Sequence, residues 1–346
     1  MSIMRIQSIE LENYRQFRGK TTIEFACNPR RSITVIHGAN GSGKTNLLSA
    51  INWCLYAREG RLSRCKEYQR IINDAELHKL ASGQRAYTRV ALKIHNKILD
   101  CCYRFERKTG ASKDPNNGVV FDYKSEFNAY EEDKGHSQET PEPNDLVRNI
   151  LPYEAKSCFF FNGAQLPQFL NKMESGQARD VTELYWLDKA IHQLEKTVSA
   201  IEASETKEEL LAIGDDLQGI VSLLALMRAR VFWSDTFDSK YLDSLSSSDR
   251  HLLALYDVWM LQKESGIGSP VIIDTPLAII DSGLWEQAAK WFLQFAKTTQ
   301  VILLMNDTEY CPLVRRLLSK RVGKEYELLY DEKSGQTSVR EAQLRS

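Results

Sequence analysis

The run His37-Gly38-Ala39-Asn40-Gly41-Ser42-Gly43-Lys44-Thr45-Asn46 restricts this chain to a narrow set of folds, because a glycine loop of this spacing needs a strand before it and a helix after it. Both are in place. Ser32 to Ile36 is a β-branched stretch that reads as a buried strand, and Leu47 to Trp53 has helical spacing. Gly38, Gly41 and Gly43 allow backbone N–H groups to close around phosphate oxygens where a Cβ would obstruct them. Ala39, Asn40, Ser42 and Asn46 belong to the same phosphate-contacting loop. Lys44 neutralises the outer phosphates, and the Thr45 hydroxyl is placed for Mg²⁺. The chain is expected to bind a nucleoside triphosphate.

A second element of the same site lies far along the sequence. Val271-Ile272-Ile273-Asp274 is an apolar strand ending in a carboxylate that can hold Mg²⁺ and its waters. A helix over Ser282 to Lys297 then leads into the apolar strand Val301 to Met305, so a buried parallel βαβ unit is expected. Because the loop and Asp274 must meet, the first and last parts of the chain are expected to fold together, with the middle inserted between them. Residues 1–183 and 236–346 form the two lobes in this reading, and 184–235 the insertion.

Elsewhere the pattern is coarser. Two strands are expected over Arg5–Leu11 and Thr21–Phe25 around a polar turn at 13–19, and an antiparallel meander over Arg89–Arg107 and Val119–Tyr130. Residues 58–86 read as a charged surface excursion, and 109–117 and 131–145 as exposed connections. Leu184, Leu187, Ile191, Leu194, Val198 and Ile201 step by threes and fours, and a second helical stretch covers 208–232. Together they make either a short antiparallel hairpin or two ordinary core helices. Ser246 caps a further amphipathic helix.

The 45 basic and 46 acidic residues leave a net charge of -1, so nucleic acid can be attracted only by a local patch. Basic residues cluster at Arg15, Arg18 and Lys20, at Arg58, Arg61, Arg64, Lys66 and Arg70, and at Arg315, Arg316, Lys320, Arg321 and Lys324. Each cluster is either a solvated face or part of a phosphate groove. The 7 cysteines form no C-x-x-C pair and the 6 histidines no metal-ligand spacing, which argues for reduced thiols and against a zinc site. No apolar run approaches the roughly 18 residues of a membrane span. A soluble protein of the cytoplasm is expected.

N-terminal loop, helical insertion and C-terminal Asp strand resemble the ABC-type ATPase heads of the SMC and recombination-repair class, most nearly the DndD-like heads associated with DNA phosphorothioation and phage restriction. Asn13 to Phe17, the glycine loop, Phe159 to Gly163, Val271 to Asp281 and Leu303 to Glu309 carry the likeness. The insertion departs from it, being far shorter than the coiled-coil arms of that class and lacking a zinc hook. The resemblance implies an α/β fold: a P-loop head with a mixed sheet and an antiparallel β subdomain, built from both chain ends. It also implies ATP and Mg²⁺ as ligands, with Arg15 near the nucleotide and Asn162 at the glutamine position that touches metal and water. Asn306 stands at the switch-histidine position. Ser246 and Asp281 would contact the nucleotide or D-loop of a second copy, the alternative for Ser246 being only a helix cap. Thr275 occupies the place of the usual catalytic glutamate and cannot act as a base. Asp307 or Glu309 is left to supply that carboxylate or to serve structurally, and hydrolysis should be slow. By the same resemblance, the chain would dimerise on ATP, act on double-stranded DNA and work with the protein partners of a bacterial modification or defence operon. Two alternatives remain: a nucleotide-sensing regulatory subunit without DNA contact of its own, and a repair ATPase with shortened arms.

Overall fold

Strands from the two ends of the chain interleave in one sheet. The computed structural model describes residues 4–57, 71–97, 100–116, 118–122, 124–133, 136–151, 160–163, 245–265 and 269–342. The expected hairpin at 184–235 and the basic run from Arg58 to Arg70 lie outside the described residues. In chain order the elements are β1 (Met4–Tyr14), β2 (Phe17–Glu24), β3 (Ile33–Gly38), α1 (Lys44–Tyr56), α2 (Asp74–His78), β4 (Arg85–Asn96), β5 (Cys101–Asp114), β6 (Gly118–Phe121) and β7 (Glu126–Asp133). They continue with β8 (His136–Glu139), α3 (Pro143–Ile150), β9 (Phe160–Asn162), α4 (Ser247–Ser265), β10 (Val271–Asp274), α5 (Trp285–Thr298), β11 (Val301–Asn306), α6 (Pro312–Leu318), β12 (Val322–Asp331) and β13 (Gln336–Glu341).

One sheet has the order β13-β12-β3-β11-β10-β9, with β13 antiparallel to β12 and every other neighbouring pair parallel. Its central strands are apolar along their length because both faces are covered. Side chains alternate between two cores, as the pleat requires. Ile36, Ile272, Ile302 and Leu304 pack with α1 and the second sheet, while Val35, Val271, Ile273, Leu303 and Met305 pack with α4, α5 and α6. The second sheet is antiparallel, ordered β2-β1-β4-β5-β7-β8, with β6 on β5.

Where the structure differs from expectation, tertiary pairing is the reason. Strands β1 and β2 run on into the supposed polar turn because Tyr14 and Phe17 are fully buried. Residues 109–114 are the end of β5, held between β4 and β6, and the 131–145 stretch contains β8 and the start of α3. Cross-strand partners here outweigh a turn-like composition. Within the expected excursion at 58–86, Ile71 and Ile72 are buried, and Ile72 bridges to Tyr14. No helix among the described residues is long and apolar enough to cross a membrane.

A buried amide clasps the two sheets. Gln300, just before β11, accepts from Ile6 N–H at 2.9 Å and donates to the carbonyls of Ile6 at 2.8 Å and Ala26 at 3.0 Å. Replacing it removes every one of these partners inside a dry layer, and orphaned backbone groups cost about 1–3 kcal/mol. Gln300→Leu is therefore expected to lower unfolding stability by about that amount in urea titration, without changing the far-UV spectrum of the folded state.

Candidate nucleotide-binding site

The glycine loop ends directly at the first residue of α1. Gly43, with φ 109°, makes the left-handed turn that starts the helix, and no side chain caps it. No acidic residue stands in the first turn. An uncapped helix start keeps its N–H groups and positive dipole end available to an anion. Lys44 is 5% exposed and folds back on the loop, donating from Nζ to Gly38 O at 2.7 Å and Ala39 O at 2.9 Å. Burial lowers its pKa, against the opposing charges of Asp274, Asp307 and Glu309. A phosphate oxygen is a stronger acceptor for that ammonium than the carbonyls it now holds.

The parallel sheet brings the distant residues together. Thr45 Oγ1 donates to Asp274 Oδ2 at 2.7 Å, and Asp274 is 1% exposed. Asn162 at the end of β9 is in register with Asp274, and Asn306 at the end of β11 with Gly38. All of them thus gather at the carboxyl edge of the sheet, the usual position of a ligand in such folds. The hydroxyl of Thr45 and the carboxylate of Asp274 are hard oxygen donors that suit Mg²⁺. When bound, Mg²⁺ would neutralise charge on the outer phosphates.

Thr275 departs furthest from an ordinary strand end. Its φ of 51° is unusual for a β-branched residue, and its hydroxyl donates back to Asp274 O at 2.8 Å instead of entering the site. Gly163, following β9, lies against it: a Cβ there would come within 2.0 Å of Thr275 O.

Arg15 belongs to a brace behind the loop, much of which is invisible in sequence. Its Nη1 donates to Asn46 Oδ1 at 2.9 Å, and Asn46 Nδ2 donates to Gln16 Oε1 at 2.5 Å. Gln16 Nε2 reaches Gly41 O at 2.9 Å and Thr337 Oγ1 at 2.7 Å, and Thr337 donates to Ser42 O at 2.8 Å. Gln16 could have been suspected from its place beside Arg15. Thr337 has no local signal, since only the pairing of β13 to β12 brings it there.

The two carboxylates after β11 have different surroundings. Glu309, 2% exposed, accepts from Leu277 N at 2.7 Å and from Asn306 N at 2.8 Å, and Asn306 Oδ1 in turn accepts from Glu309 N at 2.8 Å. Burial raises its pKa. Glu309 therefore ties two loops, and both of its oxygens are engaged. Asp307 is 57% exposed and pairs through Oδ1 with His37 Nδ1 at 2.9 Å.

Ser246 caps α4 by accepting from Asp249 N at 3.1 Å and donating to Asp249 Oδ2 at 2.6 Å. Its hydroxyl remains at an exposed helix start. Asp281 is fixed by Ser248, which donates to Oδ2 at 2.8 Å and accepts from Asp281 N at 3.0 Å. In the two basic clusters among the described residues, four side chains are paired with carboxylates of the same chain. Arg18 pairs with Glu76 at 2.7 Å, Lys20 with Glu10 at 3.2 Å and Arg315 with Glu325 at 2.8 Å, while Lys324 pairs with Glu24 and Glu341.

A glycine loop opening a helix, an Asp strand one strand removed and an antiparallel subdomain define a P-loop ATPase head of the ABC type. The family profile described as an AAA domain matches residues 8–222, more than half of the 346, and the chain belongs to that family. The DNA replication and repair protein RecF of Chlorobaculum tepidum is 39% identical over 98 residues, 27% of this chain and 25% of that protein. Structural maintenance of chromosomes protein 1 of Arabidopsis thaliana is 30% identical over 96 residues, 27% of this chain and 7% of that protein. The chain thus spans a quarter or less of these curated relatives. A crystallised Smc head bound to the C-winged helix domain of ScpA superposes with a TM-score of 0.58 at 18% identity, covering 98% of each chain, which shows a shared fold.

Gly163→Ala is the sharpest probe of the carboxyl edge. The added methyl collides with backbone, so the β9 end or Thr275 must move, and Asp274 with it. We expect at least about a tenfold weaker dependence of nucleotide binding on Mg²⁺, measured calorimetrically with and without the metal.

Proposed function

We propose that this protein is an ATP- and Mg²⁺-binding head that hydrolyses ATP slowly, pairs with a second copy when ATP is bound, and acts on double-stranded DNA in the cytoplasm. The head would comprise residues 1–183 and 236–346, with 184–235 as a helical insertion. The observation that carries the reading is the 2.7 Å contact of Thr45 with Asp274 beside the uncapped start of α1. Lys44 serves the outer phosphates, Thr45, Asp274 and Asn162 the metal, and Asn306 and Asp307 the γ-phosphate and its water. Slow turnover follows from Thr275, whose hydroxyl is turned back onto its own strand. The RecF and SMC relatives are named for DNA repair and chromosome structure, which supports a DNA substrate. The solved head with a winged-helix domain bound supports a protein partner. The DndD-like motifs favour a bacterial modification or defence operon as the source of such partners.

Lys44→Ala is expected to abolish ATP binding in calorimetry, and retained binding would refute the assignment. In the ATP-bound dimer Ser246 and Asp281 would face the partner's nucleotide. Ser246→Arg should leave ATP affinity intact but prevent the mass doubling that Mg²⁺ and ATP induce in mass photometry. An undiminished dimer would remove the trans contact.

The pairing of Arg18, Lys20, Arg315 and Lys324 with carboxylates favours a second reading, a nucleotide-sensing subunit that controls a partner effector without touching DNA. A repair ATPase is the third, supported by the RecF relatives. Duplex binding separates the first two. A DNA-acting head should bind duplex more tightly with a non-hydrolysable ATP analogue, and lose affinity about tenfold or more between low and moderate salt. Binding indifferent to nucleotide and salt would favour the regulatory subunit.

A further inference from the structure

Beside the glycine loop, His37, Tyr310 and Glu325 gather next to Asp307, and these three have no role in the nucleotide site as described. His37 is the last residue but one of β3, and its Nδ1 lies 2.9 Å from Asp307 Oδ1. The ring packs in a tilted arrangement against Tyr310, with centroids 5.0 Å apart and planes 37° from parallel. On the far side, Glu325 is 3% exposed and already satisfied: it accepts from Tyr310 OH at 2.8 Å and pairs with Arg315 at 2.8 Å. Its distance of 4.0 Å from His37 Nε2 is too long for a hydrogen bond. The imidazole is thus held by its face and its back, with Nδ1–H aimed at Asp307. The other oxygen of Asp307 has no hydrogen-bond partner among the described residues. Asp307 follows Asn306, whose Cα is paired with that of Gly38, and its charge is felt at Lys44.

We propose that His37 is a positioning residue that aims Asp307 as the general base for the water attacking the γ-phosphate, replacing the glutamate that Thr275 does not supply. The proposal rests on the ATPase reading above. In the step, the water oxygen bonds to the γ-phosphorus as the bond from that phosphorus to the β–γ bridging oxygen breaks. The bridging electron pair leaves with ADP, and the water proton passes to Asp307 Oδ2. His37 donates to Oδ1 throughout, which stops the exposed carboxylate from rotating away. A carboxylate on a loop has several rotamers, so fixing one is worth rate even though no bond changes at the histidine.

Single-turnover hydrolysis with Mg²⁺ and excess protein, alongside calorimetric ATP binding, tests the assignment. Failure of the wild-type protein to bind or turn over ATP would sink the ATPase reading itself. Given turnover, Asp307→Asn should slow it about 100-fold. His37→Phe keeps a ring against Tyr310 but loses the donor, and should slow it about tenfold at unchanged ATP affinity. His37→Asn returns a donor near the Nδ1 position and should recover to within about threefold of wild type. The double variant His37→Phe, Asp307→Asn should be no slower than Asp307→Asn alone, because the two act as one unit. Turnover of His37→Phe within about twofold of wild type, no recovery by His37→Asn, or additive losses would each overturn the proposal. Tyr310→Leu frees the ring while sparing the donor. It should slow turnover likewise, and gives the same readout if the Phe variant does not fold.

Discussion

The hydrogen bond from Thr45 to Asp274 spans 229 positions of sequence, and the rest of the architecture serves to make it possible. It forms because β3 and β10 run parallel with β11 between them, so that their carboxyl ends emerge on one edge. Parallel neighbours cannot be joined by a tight turn. Helix α5 makes the crossover from β10 to β11, and the whole middle of the chain intervenes between β3 and β10. Two apolar cores hold the sheet in this order, one on each face. Each well-buried aliphatic side chain contributes roughly 1.5–3 kcal/mol, which is the reserve against which the polar site is held.

That reserve is needed because the site itself is costly. Lys44 and Asp274 are both desolvated, α1 starts without a cap, and Thr275 adopts a left-handed backbone. A residue in such a conformation stores on the order of 1–3 kcal/mol. The cost is concentrated where phosphate and metal would relieve much of it, and the brace of Arg15, Asn46, Gln16 and Thr337 keeps the loop from relaxing in their absence. The same economy of position is seen after β11. Glu309 is buried and spends both oxygens on backbone, whereas Asp307 stays exposed with one oxygen committed.

Residue order left the role of the charged clusters open between a solvated face and a phosphate groove. In the described clusters the chain supplies its own counter-charges: Lys324 alone reaches carboxylates on two different strands. Half-buried Arg89 likewise sits between Glu10 and Glu106 on the antiparallel sheet. The consequence of such pairs is electrostatic: where they form, they weaken the local positive field.

The sequence by itself determined the class of site, because a phosphate loop is local chemistry: glycines, Lys44 and Thr45 within one turn of chain, and an apolar strand closed by Asp274. It also determined the parallel βαβ unit, since β10 and β11 are continuous apolar runs separated by a helix. It could not determine the turn at Tyr14 and Phe17, the end of β5, or the roles of Gln16, Thr337 and His37. Those depend on tertiary partners, for Gln16, Thr337 and His37 hundreds of positions away, set by which strands pair and in what register. Periodicity records which face of an element is apolar. Only the folded sheet decides which side chains meet across its edge, and here it chose His37 for Asp307 and Gly163 for Thr275.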